Sequence, residues 1–328
     1  MDPLRLLNLK KKESSVMGKA LIILYTLLEV GLPMCAVGFA AVIIPKSSVW
    51  VNTLWILMPI SYVVIFPFVC ALLSQFHSRQ VVPGKFPRDL NNPAYKARRL
   101  YGFCWTSLYY FTPIFYFVLQ IDLFKASVLR LFGYKGSTSI TLYPDSWIRD
   151  LPLLDIAEGV YFANKCTLGS NLVLGTGEIL VDRIKIGKQS TIGHLAIVGL
   201  GTQIGEHCEI GIGVAVGLRC AIADRVRIAP TCAINHGASI GAGTQVGAMS
   251  YIGLRAQIGP GLEIPAGANI PTGASIKTVD DISKIISSET ASLISERDRL
   301  SKGIFNHGAP PADASPIVPT DPDAPKYG

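Results

Sequence analysis

From Ile156 to Ile276 an aliphatic or aromatic residue returns at every sixth position. The series begins Ile156, Phe162, Leu168, Leu174, Leu180, Ile186 and keeps its phase to the end, filling 21 slots of 21. A helix repeats its faces every 3.6 residues and a strand every two, so neither alone explains a period of six. A short fixed period held this long is the mark of a solenoid, in which each repeat buries its apolar side against its neighbours.

The rest of the hexad agrees. The slot after the anchor is usually Gly, as at Gly187, Gly193 and Gly217, which suits a turn of unusual φ/ψ or a close backbone approach. The slot four after the anchor is mostly small, as at Ser190, Ala196, Thr202 and Cys208. Each hexad therefore offers one large inward residue, one small inward residue and a tight corner, and three hexads close a triangular coil. The pattern resembles the hexapeptide repeat of the left-handed parallel β-helix. Seven coils at the spacing of neighbouring strands, about 4.8 Å, predict a prism roughly 34 Å long. No loop longer than a few residues is expected to leave the coils.

Seven cysteines occur, with no CxxC pair. Cys166, Cys208, Cys220 and Cys232 fall in the small slot and read as compact core residues. A zinc or redox motif is not supported, and the lack of a disulfide framework fits a reducing compartment.

Charge is uneven. Residues 1–100 carry 12 Lys/Arg against 4 Asp/Glu, while the remainder carries 18 against 19. The basic residues flank apolar runs instead of decorating the folded module, which argues for a membrane and against nucleic acid. After a basic N-terminus, residues 1–19, come two such runs. Ala20–Ile44 holds a single charge, Glu29, and Val49–Ser74 holds none, with Pro59 and Pro67 inside. The two predict a transmembrane helical hairpin over residues 20–74. Glu29 reads as a partner for a neighbouring helix or as a residue near the headgroups, since one acid makes no relay. Both ends of the hairpin are basic, so both face the cytoplasm by the positive-inside rule.

Residues 75–136 read as a basic loop followed by re-entrant or interfacial helices. Tyr101–Ile121 is uncharged and aromatic-rich, a bias that favours the membrane interface over a third span, which would place the β-helix outside the cell. Phe124–Phe132 reads as an amphipathic surface helix. The β-helix is expected over 150–276, a capping helix over 277–302 and a disordered, Pro- and Asp-rich tail over 303–328. The expected fold is thus N-terminal transmembrane or interfacial α-helices, an all-β left-handed parallel β-helix and a C-terminal α-helix.

Pro83-Gly84-Lys85, the basic Lys96, Arg98 and Arg99, and Leu129-Arg130-Leu131-Phe132-Gly133 ahead of the hexads resemble the C-terminal membrane-plus-β-helix units of poly-lysine-synthetase-type nonribosomal peptide synthetases. The similarity covers about residues 20–276. No adenylation or carrier domain accompanies it, so synthetase activity does not follow. More broadly, the hexads resemble acyltransferases. That resemblance implies a homotrimer with acyl-CoA, such as acetyl-CoA, or a carrier-bound thioester in a cleft between prisms. It also implies a His as general base, a role that suits an imidazole titrating near neutrality.

Three His lie in the hexads, each assigned to a different face: His194, His207 and His236. His236 is the first candidate base, because Asn235 replaces the usual Gly beside it, and His194 is the second. Similar units often carry a His before the regular hexads, where this chain has Asn171. The separation of the three His argues against a zinc site. Gly241-Ala242-Gly243 lacks the strand-to-helix context of a dinucleotide fingerprint.

Two functions are therefore expected. One is a membrane-anchored acyltransferase working on a membrane-proximal acceptor, with membrane lipid and a nonribosomal peptide or polysaccharide biosynthetic system as partners. The other is a non-catalytic trimeric scaffold organising such an assembly. The expected location is a bacterial inner membrane, with the β-helix facing the cytoplasm.

Overall fold

The computed structural model of the protein describes residues 20–36, 38–39 and 48–285. The expected basic N-terminus, the end of the first apolar run, most of the C-terminal helix and the tail lie outside the described residues.

Three seven-stranded parallel sheets enclose a left-handed-type solenoid. The first face stacks Leu142, Phe162, Ile192, Ile210, Ile228, Val246 and Ile264. The second runs from Ile148 to Ile270 and the third from Ile156 to Ile276. Most rungs are two residues long, one exposed and one buried, and the anchors point inward. The small slot is buried as well, at Ala196, Cys208, Cys220 and Cys232.

Polar members of that slot have a further task. Ser190 Oγ and Thr202 Oγ1 donate at 2.8 Å to the carbonyls of Gly205 and Gly217, and the Cys208 thiol donates at 3.0 Å to that of Ala223. Each reaches a corner carbonyl of the next coil, a buried acceptor that would otherwise cost free energy. Burial raises the Cys208, Cys220 and Cys232 thiols and pushes Cys166 up to about 11. All four remain protonated, free thiols.

The two reasons for corner glycine belong to different slots. The left-handed residue is the third after the anchor, and it is Gly at some corners and Gln189, His207, Arg219 or Arg255 at others. The Gly directly after the anchor has ordinary φ and serves close approach. A Cβ on Gly187 would lie 2.5 Å from the carbonyl carbon of Gly205 in the next coil.

Leu174 and Leu180 are not rungs, and a longer loop does leave the coils. Leu168 pairs directly with Val198 across two more hexads than a regular coil holds, and the segment between Gly169 and Ile184 leaves the prism. It forms an antiparallel hairpin whose second strand is paired by an earlier segment. Here β1 is Gly84–Pro87, β2 is Asn171–Val173 and β3 is Glu178–Val181, in the order β1-β3-β2. The solenoid also begins before Ile156, with rungs at Thr141–Leu142 and Trp147–Ile148 and a 3-10 turn at Leu151–Leu153.

The helical part starts with α1 (Ala20–Ala36) and α2 (Ser48–Ser78), antiparallel, with Tyr25 Oη 2.6 Å from His77 Nε2. Within α2, Pro59–Ser78 is long and apolar enough to cross a membrane, while α1 is apolar but shorter. Glu29 is buried beside Ser107 and Cys104 of α3 (Pro93–Tyr110), and its Oε1 has no hydrogen-bond partner among the described residues.

The aromatic stretch after residue 100 breaks at Phe111 into α3 and α4 (Thr112–Gln120), followed by α5 (Asp122–Leu131). Its large rings pack under the solenoid. Trp105 contacts Phe115 and Phe132 edge to face, and its indole N–H donates at 2.6 Å to the carbonyl of Ile148 in the first coil. The Tyr101 hydroxyl donates at 3.0 Å to Phe132, and Lys125 Nζ at 3.1 Å to the Ile140 carbonyl. The helices thus cover the open sheet edges at the start of the solenoid. α5 ends in a Schellman turn, with Gly133 at φ +82° and the Tyr134 N–H donating to Leu129. At the far end Thr278 and Asp281 form a capping box that opens a helix at residue 279.

Candidate functional site

The three solenoid histidines stand on three different edges of the prism. His194 follows Ile192 where the first face turns into the second, and it is half-buried. His207 is exposed between the third and first faces, in the left-handed conformation. His236 follows Ile234 between the second and third faces. Nothing brings the three together, and among the described residues no group of three or more His, Cys, Asp or Glu is gathered for a metal.

His236 opens on a groove of about 230 Å³ lined by Leu180, Leu218, Arg219, Gly237, Leu254 and Arg255. Arg219 and Arg255 occupy the left-handed slot of the coils on either side, and Gly237 between them carries no side chain to fill the gap. Leu180 reaches the groove because β3 leans over this edge. Past β3, Asp182 meets Arg219 Nε at 3.3 Å, an exposed pair that orients the guanidinium more than it stabilises the fold. The groove thus combines apolar walls, two cations and one imidazole.

The imidazole is not free. His236 Nδ1 accepts the backbone N–H of Leu218, one coil back, at 3.0 Å. In the neutral ring this puts the proton on Nε2, which then faces outward as a donor. Asp224 makes the same bond on another edge, accepting the Glu206 N–H at 2.8 Å. His236 therefore fills a structural position that a carboxylate fills elsewhere.

The hairpin's other end rests on a buried charge cluster that periodicity gave no reason to expect. Asp150, fully buried and left-handed at φ +55°, accepts from Arg98 Nε at 3.0 Å and Nη2 at 2.5 Å, and from Ser170 Oγ at 2.7 Å. Arg98 Nη2 also donates at 2.7 Å to Asn171 Oδ1. Arg149 lies 3.9 Å from Asp150, and burial lowers its pKa, an effect the Asp150 carboxylate opposes. α3, the first coil and the base of the hairpin are thus fastened at one point. Asn171 is spent on that fastening. The legible signals were Arg98, in the basic run of Lys96, Arg98 and Arg99, and Asp150 at the break in the hexad phase.

Neither the known protein-family models nor the curated proteins contain a match to this chain. Among solved structures, a Bacillus cereus protein described as a "putative acetyltransferase" aligns at 20% identity over 46% of this chain and 92% of its own, with a TM-score of 0.16. Superposition at that score transfers neither activity nor ligand.

Proposed function

We propose that the protein is a membrane-anchored acyltransferase. It moves an acyl or aminoacyl group from a thioester, acyl-CoA or a carrier, to an acceptor at the membrane surface. The prisms associate as a homotrimer, α1 and α2 hold the assembly in the bilayer, and the β-helix faces the cytoplasm. The observation that carries the reading is the His236 groove. Leu180, Leu218 and Leu254 suit an acyl chain, Arg219 and Arg255 suit donor phosphates or a carboxylate, and an imidazole faces the same space. For His236 to take a proton, its ring must release the Leu218 N–H and present an unprotonated nitrogen to the nucleophile. His194 is the alternative base on another edge; its ring makes no hydrogen bond among the described residues.

A second reading, the non-catalytic trimeric scaffold, is favoured by the hydrogen bond at His236 Nδ1, which matches the purely structural bond of Asp224.

Two variants separate the readings. His236→Asp keeps an acceptor for the Leu218 N–H but removes the neutral imidazole, whereas His236→Ala removes both. The detergent-purified protein is followed by thermal shift with acetyl-CoA and by release of free CoA in the presence of membrane extract. The acyltransferase reading expects ligand stabilisation of the wild type and a loss of turnover of about 100-fold or more in both variants. The scaffold reading expects no acetyl-CoA shift, and a melting temperature that His236→Asp retains and His236→Ala lowers.

A further inference from the structure

The first two coils carry a second cluster, on a different edge from the His236 groove. Where the first face turns into the second, Asp145 Oδ1 is buried without a hydrogen-bond partner. Its other oxygen accepts only a 3.4 Å bond from Asn164 Nδ2. Among the described residues, no ion pair includes Asp145. Leaving such an oxygen unmet costs free energy that a ligand's positive charge would recover.

Three aromatic rings gather at the same place. Trp147 lies two residues on, and Tyr109 and Tyr110 come from the last turn of α3. The Trp147 ring is 5.0 Å from Tyr109 at 85° and 6.2 Å from Tyr110 at 36°, and the two tyrosines are 5.4 Å apart at 80°. Tyr110 is 72% exposed, and Tyr109, which also packs on Phe115 at 5.6 Å, and Trp147 are half-buried, so the cluster keeps ring surface open to solvent. Burial and, after it, the Asp145 carboxylate raise the Tyr109 pKa, so the phenol stays neutral.

A carboxylate with a vacant acceptor beside three electron-rich ring faces favours a cation that is itself partly apolar. A metal ion would want several converging oxygens, and one carboxylate does not supply them. We propose that Asp145, Tyr109, Tyr110 and Trp147 bind an organic ammonium group, carried by a lipid headgroup or by a free amine. Its nitrogen meets the Asp145 carboxylate and its carbons lie on the rings. The position beside the α3–α4 turn, where Phe111 and Tyr116 are exposed, makes a headgroup and a free amine equally able to reach it.

The test uses the full-length protein in detergent micelles with isotope-labelled indole nitrogens, the Trp147 signal being the one missing from Trp147→Phe. Choline chloride is titrated against sodium chloride at matched ionic strength. A saturable shift of that signal in about the millimolar range is expected with choline alone. Asp145→Asn should weaken it about tenfold or more. The neutral isostere 3,3-dimethylbutanol, compared on the wild type, should bind correspondingly weakly, and this comparison needs no variant to fold. Nanodiscs of phosphatidylethanolamine, set against phosphatidylglycerol, identify the source: a shift without added choline assigns the site to lipid, and a shift only with choline assigns it to a free amine. Equal binding of the isostere, equal binding by Asp145→Asn, or no response to choline or to phosphatidylethanolamine would each overturn the proposal. None of these outcomes touches the His236 groove, so the acyltransferase reading stands or falls separately.

Discussion

The regular coils from Ile186 to Ile276 and the first two coils from Thr141 to Ile186 are one prism built in two ways. In the regular coils one rule is repeated: a stacked anchor, a buried small residue that satisfies a corner carbonyl, and a left-handed corner. No rung there depends on a particular distant partner. In the first two coils nearly every contact is individual. A tryptophan indole caps one strand carbonyl, a buried Arg98–Asp150 pair pins a helix to the coil, and a hairpin leaves the prism to pair with β1. Repetition makes stability a sum of neighbour terms, whereas the first coils concentrate it in a few contacts.

The sharpest way to break this contrast is to remove one member from each region. Arg98→Met strands the Asp150 carboxylate, fully buried, and is expected to cost about 3–5 kcal/mol. Ile222→Val, which trims one rung of a ladder, is expected to cost about 1 kcal/mol. Denaturant unfolding of the detergent-purified protein measures both. If the pair acts as a unit, adding Asp150→Leu to Arg98→Met recovers most of the loss. Equal costs for Arg98→Met and Ile222→Val would mean that the two regions are held in the same way.

The same contrast explains what could be read from the chain. Anchors, the small slot and the core cysteines were legible because each recurs. The hairpin was hidden by arithmetic: it lengthens the coil by two whole hexads, so Leu174 and Leu180 fell into phase, although Leu180 pairs with Leu172 and Leu174 sits in the turn with its N–H on the Glu178 carbonyl. The corner was read two slots away from its left-handed residue, because Gly gathers where coils touch and not only where φ is positive. The aromatic stretch after residue 100 suggested an interface, although its largest rings pack on the first coil. The His236 groove was half legible. The imidazole stood out beside Asn235, but Leu180 and Asp182 reach it only through the hairpin.

The two kinds of corner glycine allow a finer cut. A Cβ on Gly217 would lie 2.5 Å from His236 Nδ1 and 2.8 Å from the His236 backbone nitrogen. Gly217→Ala should therefore displace His236, lose the Leu218 bond and cost about 1–3 kcal/mol. Gly243, at φ +72°, has open space where a Cβ would go. Gly243→Ala should cost only the left-handed penalty, about 1 kcal/mol, and Gly243→Asn less. The reverse order, with Gly243 the more sensitive, would put torsion ahead of crowding at these corners.

The smallest effect is expected where β1 and the hairpin are laced together by exposed charge. Lys85 Nζ on β1 meets Glu178 Oε2 on β3 at 2.7 Å, and the bonds from Lys85 and Thr176 hold the Glu178 carboxyl below its ordinary pKa. A depressed carboxylate contributes stability that is complete above its unfolded pKa and is lost as pH falls through the lower folded value. Protection of the β1 and β3 amides against hydrogen exchange should therefore be flat through neutral pH and decline only below about 4.5, the ordinary Glu value. Lys85→Met should shrink that acid step, the Thr176 bond remaining, while leaving protection in the regular coils unchanged. Because the pair is solvated, salt should blunt the step in the wild type. An acid loss of equal size in the regular coils would show that the step belongs to the whole prism and not to the seam between β1 and the hairpin.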